Sequence, residues 1–248
     1  MEEENRDCME INPENAAPPE IVNTEIPAAP WKTREILAGA GLVILLNVVF
    51  ALLIIWLNNK AISIDLGLVS LLTEAVFLFA AWFFSVRYFK LGWSSLGFTK
   101  FRPAFIGLGC GFIALTYVFN LIYALLVLYP LDLTLQGNLF SLLTNTPMSI
   151  WMSLAITVVS PFCEEVFFRG FLFAGLRQKL GWKLAAVISS AFFAVLHLEW
   201  TALLPIFLLG LFLAFLYERS RSLWPSILMH AMNNIISFGV LLLATSLQ

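Results

Sequence analysis

Long apolar runs near residues 36–57, 66–86, 104–128, 149–176, 184–199, 202–217 and 223–245 alternate with short stretches that hold most of the charge. Runs of about 17–25 apolar residues are long enough to cross a hydrocarbon layer as helices. The pattern predicts an all-α fold, a polytopic transmembrane helical bundle of about seven spans. The fifth and sixth runs are short enough to tilt or to lie inside the bundle, so six to eight spans fit. Trp31, Trp56, Trp93, Trp151, Trp182, Trp200 and Trp224 fall at or just beyond the ends of runs, and Trp82 lies in the last turns of the second. Such positions are those of an interfacial belt. Gly107 and Gly111 make a GxxxG on the third run, a spacing that lets helix backbones approach closely.

Composition agrees with the pattern. The chain is 60% hydrophobic and 12% charged, with a mean hydropathy of +0.88, where soluble domains are about 45–50% apolar and ~25% charged. The acids are uneven. Residues 1–30 hold eight acids, five prolines and one base, Arg6. That stretch buries too little apolar surface to offset its ordering entropy, so it reads as a disordered tail. It lacks the basic and apolar regions of a secretory signal and is too acidic for a transit peptide. The division expected is a tail over 1–30 and a membrane domain over 31–248. Cys8, Cys110 and Cys163 are widely spaced with no CxxC and imply neither a disulfide framework nor a zinc knuckle.

The bases choose a side. Alternate connections carry Lys32 and Arg34; Arg87, Lys90, Lys100 and Arg102; Arg177, Lys179 and Lys183; and Arg219 and Arg221, while the other set carries Lys60 alone. The positive-inside bias then places the N-terminus in the cytoplasm.

Against this background several polar residues stand out. Glu164, Glu165 and Arg169 lie within the fourth run, His197 on the fifth, and His230 and Asn234 on the seventh; the two histidines are the only ones in the chain. Ionisable groups inside a membrane cost about 2.5–3.5 kcal/mol each on insertion scales and usually face an interior or a wet cavity. Glu165 and Arg169 are i,i+4 and read as an ion pair. Glu164 is turned about 100° away and points to another neighbour. His230 and Asn234 are also i,i+4. Pro161 removes a backbone hydrogen bond just before the acids and loosens or kinks the helix there. Counted at about 1.5 Å per residue from the cytoplasmic ends, Glu164 lies ~18 Å deep, His197 ~20 Å, and His230 and Asn234 roughly 11–17 Å. One bundle can bring them to one level. Polar residues also act as glue between membrane helices, which accounts for Glu165 and Arg169 but poorly for the other four. Glu74 reads as a supporting or packing residue, Glu199 as interfacial and Cys163 as packing.

A carboxylate, two imidazoles and an amide in a dry cavity suit hydrolysis of a peptide bond. A glutamate can take a proton from water, a histidine can hold that water or protonate the amine, and an amide N–H with a second imidazole can meet the oxyanion. A zinc protease of the HExxH type is excluded, because neither histidine begins that motif. An aspartyl type is excluded, because Asp7, Asp65 and Asp132 all lie outside the runs. No serine elbow appears near either histidine. A zinc ion held by Glu164, His197 and His230 is the alternative to a metal-free, glutamate-activated water.

The motifs resemble those of the CPBP intramembrane proteases, the CAAX-processing and bacteriocin-processing (Abi) family. Its EExxxR matches Glu164 to Arg169, followed by Gly170; its FxxxH matches Phe193 to His197; its HxxxN matches His230 to Asn234. The resemblance covers roughly residues 90–245, including LGWSSLGF at 91–98, and leaves out the acidic tail. It implies an endopeptidase working inside the bilayer on membrane-associated or prenylated proteins or peptides, opening toward the cytoplasm, with a bacterial plasma membrane the expected location. By that resemblance Glu164 activates water, His197 helps to position it, His230 and Asn234 stabilise the oxyanion, and Glu165, Arg169 and Phe193 support them. No cofactor and no nucleic-acid partner is expected. A non-catalytic peptide-binding or immunity scaffold is the rival reading, and a proton-relaying transporter a third, against which stands the lack of an internal repeat or paired broken helices.

Overall fold

In a hydrocarbon layer no water satisfies backbone N–H and C=O groups, so spanning runs must close their own hydrogen bonds. The computed structural model describes residues 29–60, 65–135 and 150–246, with side chains to residue 243. Among these the ordered elements are helical, with no strand. Six stretches are long and apolar enough to cross a membrane; the first three are α1 (Thr33–Asn59), α2 (Leu66–Arg87) and α3 (Ala104–Leu131).

The fourth, Ile150–Leu196, has 47 residues. Straight, it would extend about 70 Å, more than twice the ~30 Å hydrocarbon thickness. It is broken at Gly181, where φ is 74° and ψ 160°, a conformation that glycine adopts freely and other residues do not. There the chain turns back on itself. The rings of Phe168 and Phe193 lie 5.0 Å apart, although a continuous helix would separate those positions by about 37 Å. The stretch is therefore a hairpin of α4 (150–180) and α5 (182–196). With α6 (Trp200–Ser220) and α7 (Leu223–Ser246), six stretches make seven traverses, the number that the apolar pattern predicts.

α4 is the axis of the bundle. Every residue from Cys163 to Gly175 is buried, the mark of a helix enclosed on all sides. Phe171 stacks on Trp31 at 5.5 Å, Phe167 meets Phe77 of α2 at 5.5 Å, and Phe173 meets Tyr217 of α6 at 5.8 Å. Gly170 admits the 93–97 turn. A Cβ there would sit 2.8 Å from the Leu96 carbonyl oxygen, a contact that would push α4 and the turn apart. The same turn is bolted to the α6–α7 junction: the Leu223 N–H donates to the Gly97 carbonyl at 2.8 Å, and the Ser222 hydroxyl to that of Thr99 at 2.6 Å. LGWSSLGF thus fixes where α7 begins, and with it the position of His230.

Two expectations fail. Trp31 is only 2% exposed; its indole N–H donates to the Phe171 carbonyl at 2.9 Å, so it anchors α1 to α4 rather than lining the belt. Trp56, Trp93, Trp151, Trp182, Trp200 and Trp224 do point outward. Among the described residues the GxxxG face of α3 also meets no neighbouring helix of this chain, with nothing within 4 Å of a Cβ built on Gly107 or Gly111. The close approach on α3 is made instead by Gly109, against Met229 of α7 and Leu216 of α6. Spacing alone does not say which face of a helix meets a neighbour. The acidic residues 1–28 lie outside the described residues, as does most of the 129–148 connection.

Candidate active site

The polar residues of α4 divide as their helical positions require. Glu165 and Arg169 form a buried ion pair, with Arg169 Nη1 2.9 Å from Glu165 Oε1 and neither residue exposed. Arg169 also donates from Nη2 to the Gly210 carbonyl of α6 at 3.0 Å, and its guanidinium lies 4.6 Å from the centre of the Phe193 ring. Sequence spacing reveals the pair but not its third member. His230 Nδ1 approaches the same Glu165 Oε1 at 3.0 Å. A carboxyl oxygen that already pairs with the Arg169 guanidinium is placed as an acceptor, so Nδ1 is assigned as the donor, and the ring turns Nε2 toward the interior. Phe193 packs against both imidazoles, 4.5 Å from the His197 ring and 5.6 Å from that of His230.

Glu164 points elsewhere, as its 100° offset demands. The Ser160 hydroxyl, one turn earlier, donates to its Oε1 at 2.6 Å. Its Oε2 is buried with no hydrogen-bond partner and stands 3.7 Å from His230 Nε2. That is too long for a hydrogen bond, and the two groups are adjacent but unbonded.

His197 closes α5 and is exposed, while His230 is buried. Its Nδ1 lies 2.7 Å from the Phe193 carbonyl. A carbonyl only accepts, so Nδ1 carries the proton and Nε2 of the neutral ring is an acceptor. Phe193 therefore places His197 through its backbone and His230 through its ring.

Asn234 is held by a defect in α4. Residues 155–159 form a widened, π-helical turn in which the Ser160 N–H reaches the Ala155 carbonyl. In that register the Ile156 carbonyl would accept from residue 161, which is proline and has no N–H. Asn234 Nδ2 supplies the missing donor at 2.9 Å. One of its two N–H groups is so engaged, and the other remains for a ligand. A second π-helical stretch, Val166–Phe173, follows the acids. Such turns recur at functional sites, though Trp82–Arg87 and Ala124–Leu128, away from the cavity, are π-helical as well.

These groups meet in a cavity of about 240 Å³ lined by Glu164, His197, His230 and Asn234, with Ser160, Ile156 and Phe238 among the others. That volume accommodates several waters, given that one needs about 10–15 Å³. The four residues that depth alone brought to one level share this space. Glu74 of α2 also lines it. A single acid on an otherwise apolar run gives no signal of which side it faces, and sequence spacing left its place open. Cys163 is buried packing, as expected. Among the described residues no three His, Cys, Asp or Glu side chains gather closely enough to hold a metal ion. Glu164, His197 and His230 line one cavity without forming a ligand set.

Comparison with known proteins finds two likenesses. Residues 146–236 match the family described as type II CAAX prenyl endopeptidase Rce1-like. This is narrower than the resemblance read from the motifs, yet it contains all three of them. Over 83 residues the chain is 35% identical to the "Putative membrane peptidase YdiL" of Bacillus subtilis (strain 168), covering 34% of each chain. The chain thus spans about a third of the length of that curated relative. No solved structure matches the chain.

Proposed function

We propose, from the likeness of residues 146–236 to the type II CAAX prenyl endopeptidase Rce1-like family and from the motifs that resemble the CPBP proteases, that this multi-pass membrane protein is an endopeptidase whose site lies within the bilayer. Its substrates are membrane-associated peptides or proteins, CAAX-type prenylated ones included. One observation carries the reading: Glu164 Oε2 is buried without a partner in a cavity it shares with both histidines and Asn234. A carboxylate oxygen that faces a cavity large enough for water, beside two imidazoles and an amide, is placed to act on a water.

In this reading Glu164 Oε2 takes a proton from water, and the water oxygen attacks the peptide carbonyl carbon. Ser160 holds the other carboxylate oxygen, so that Oε2 faces the water. His197 Nε2, left an acceptor by the bond at Nδ1, orients that water. The oxyanion is met by the free N–H of Asn234 and by the His230 ring, which in this step carries a proton on both nitrogens, Nδ1 toward Glu165 and Nε2 toward the oxyanion, the type of preorganised donor set that stabilises charge as it develops. Glu165 and Arg169 set the His230 ring, and Phe193 keeps the two imidazoles apart. The reaction so written needs no metal. By the distribution of basic residues the N-terminus is cytoplasmic, and the site opens to that side of a bacterial plasma membrane.

The test is release of peptide fragments by the purified protein in detergent, with Glu164→Gln as control. Cleavage by the wild type that the variant loses supports the reading. Tight peptide binding with no cleavage by either would instead favour the scaffold.

A further inference from the structure

We propose that Glu74 is a further catalytic residue of this cavity, the acid that protonates the departing amine. The proposal rests on the peptidase reading above and deepens it. Glu74 comes from α2, outside the family match over residues 146–236. It is only 9% exposed, and its Oε2 is buried with no hydrogen-bond partner. It lines the cavity together with Ser160 and Glu164.

The chemistry needs a proton donor at the nitrogen: Glu164, once it has taken the proton from water, is one candidate, and Glu74 is the other. A peptide nitrogen leaves only when protonated, and each imidazole is already committed. His197 spends its Nδ1 proton on the Phe193 carbonyl, and His230 its Nδ1 proton on Glu165, leaving Nε2 to the oxyanion. Among the residues lining the cavity there is no Lys or Arg. Two carboxyls facing one cavity can divide the roles of base and acid, as in other sites where paired acids do so. Arg169 of α4 is taken by Glu165.

The proton balance closes. Glu164 removes one proton from water while the C–O bond forms. As the C–N bond breaks, Glu74 gives its proton to the nitrogen, which leaves as a neutral amine, and the acyl product leaves as a carboxylic acid. Glu164 then holds the proton that Glu74 has lost. Passage of that proton across the shared cavity, which Ser160 also lines while donating to Glu164, resets the pair.

The experiment compares two leaving groups. A quenched prenylated peptide with a CAAX-type end serves as amide substrate, and its cleaved bond is located by mass spectrometry. The same acyl portion is then made as a nitrophenyl ester, whose leaving group needs no proton. In Glu74→Gln, kcat for the amide is expected to fall about 10²–10⁴-fold with KM little changed, while ester turnover falls less than about tenfold. Glu164→Gln is expected to lose both. Retained ester turnover also shows that the Glu74→Gln site is assembled. Equal loss of both substrates in Glu74→Gln would mean a structural role and overturn the proposal, as would full activity on both. If the wild type cleaves neither substrate, the peptidase reading falls and takes this role with it. That result is distinct from failure of Glu74 alone, in which the wild type cleaves and the variant does too.

Discussion

Pro161 and Asn234, on different helices, are coupled through one carbonyl: the proline leaves Ile156 without its helical donor, and the Asn234 amide supplies one at 2.9 Å. A buried carbonyl stripped of its partner costs about 1–3 kcal/mol, so Asn234→Ala is expected to lower stability by that amount as well as turnover. Pro161→Ala restores an N–H at residue 161. In that background the stability cost of Asn234→Ala should shrink below about 1 kcal/mol, as a double-mutant cycle of unfolding in mixed micelles would read. Equal costs in both backgrounds would refute the coupling.

Glu164 and Glu165 are neighbours with opposite expected phenotypes. Glu164→Gln keeps the acceptor that Ser160 uses and removes only basicity. Turnover should fall about 10²–10⁴-fold with the unfolding transition unmoved.

Arg169→Leu strands the Glu165 carboxylate in the core and is expected to cost about 3–5 kcal/mol of stability. Adding Glu165→Leu removes the stranded charge and should recover much of that loss. Peptide turnover should stay low in the double variant, because His230 has then lost the group that aims it. Recovery of both stability and turnover would show that Glu165 does not position the ring.

Orientation is open to a direct measurement. With the native cysteines replaced, single cysteines near Lys90 and Lys179 should react from the cytoplasmic side, and one within 129–148 from the outside. The reverse pattern would invert the direction from which substrate reaches the site.

For the metal-free reading, protein stripped with a chelator should keep full turnover when bound zinc is far below one per chain. Activity that disappears and returns with one added zinc would make Glu164, His197 and His230 ligands after all.

What could be read from sequence follows from distance along the chain. Glu165 with Arg169, and His230 with Asn234, are set by the pitch of one helix, and apolar run length fixes the traverses. The link from Glu165 to His230 spans two helices and has no local trace. Glu74 has none either, because a lone acid on an apolar run says nothing of what it faces. Ser160 looks like any membrane serine until Glu164 is seen one turn beyond it. GxxxG and Trp31 misled for a shared reason: both are defined by spacing or by position at a run's end, while their roles depend on which neighbour arrives.

The enclosure of α4 bears on how the chain is made. Its partners lie on both sides in sequence, with Trp31 and Phe77 before it and Gly210, Tyr217 and His230 after it. During synthesis, therefore, the Glu165–Arg169 pair leaves the ribosome before the carbonyl and the imidazole that complete it exist. A lone α4 would carry three ionisable groups into lipid, at about 2.5–3.5 kcal/mol each on insertion scales before any pairing. We expect the α4–α5 hairpin to linger at the translocon, and a nascent chain cut short before α7 to crosslink there rather than to lipid. Release into the bilayer would then wait on the C-terminal helix, so that membrane integration and assembly of the site are one event.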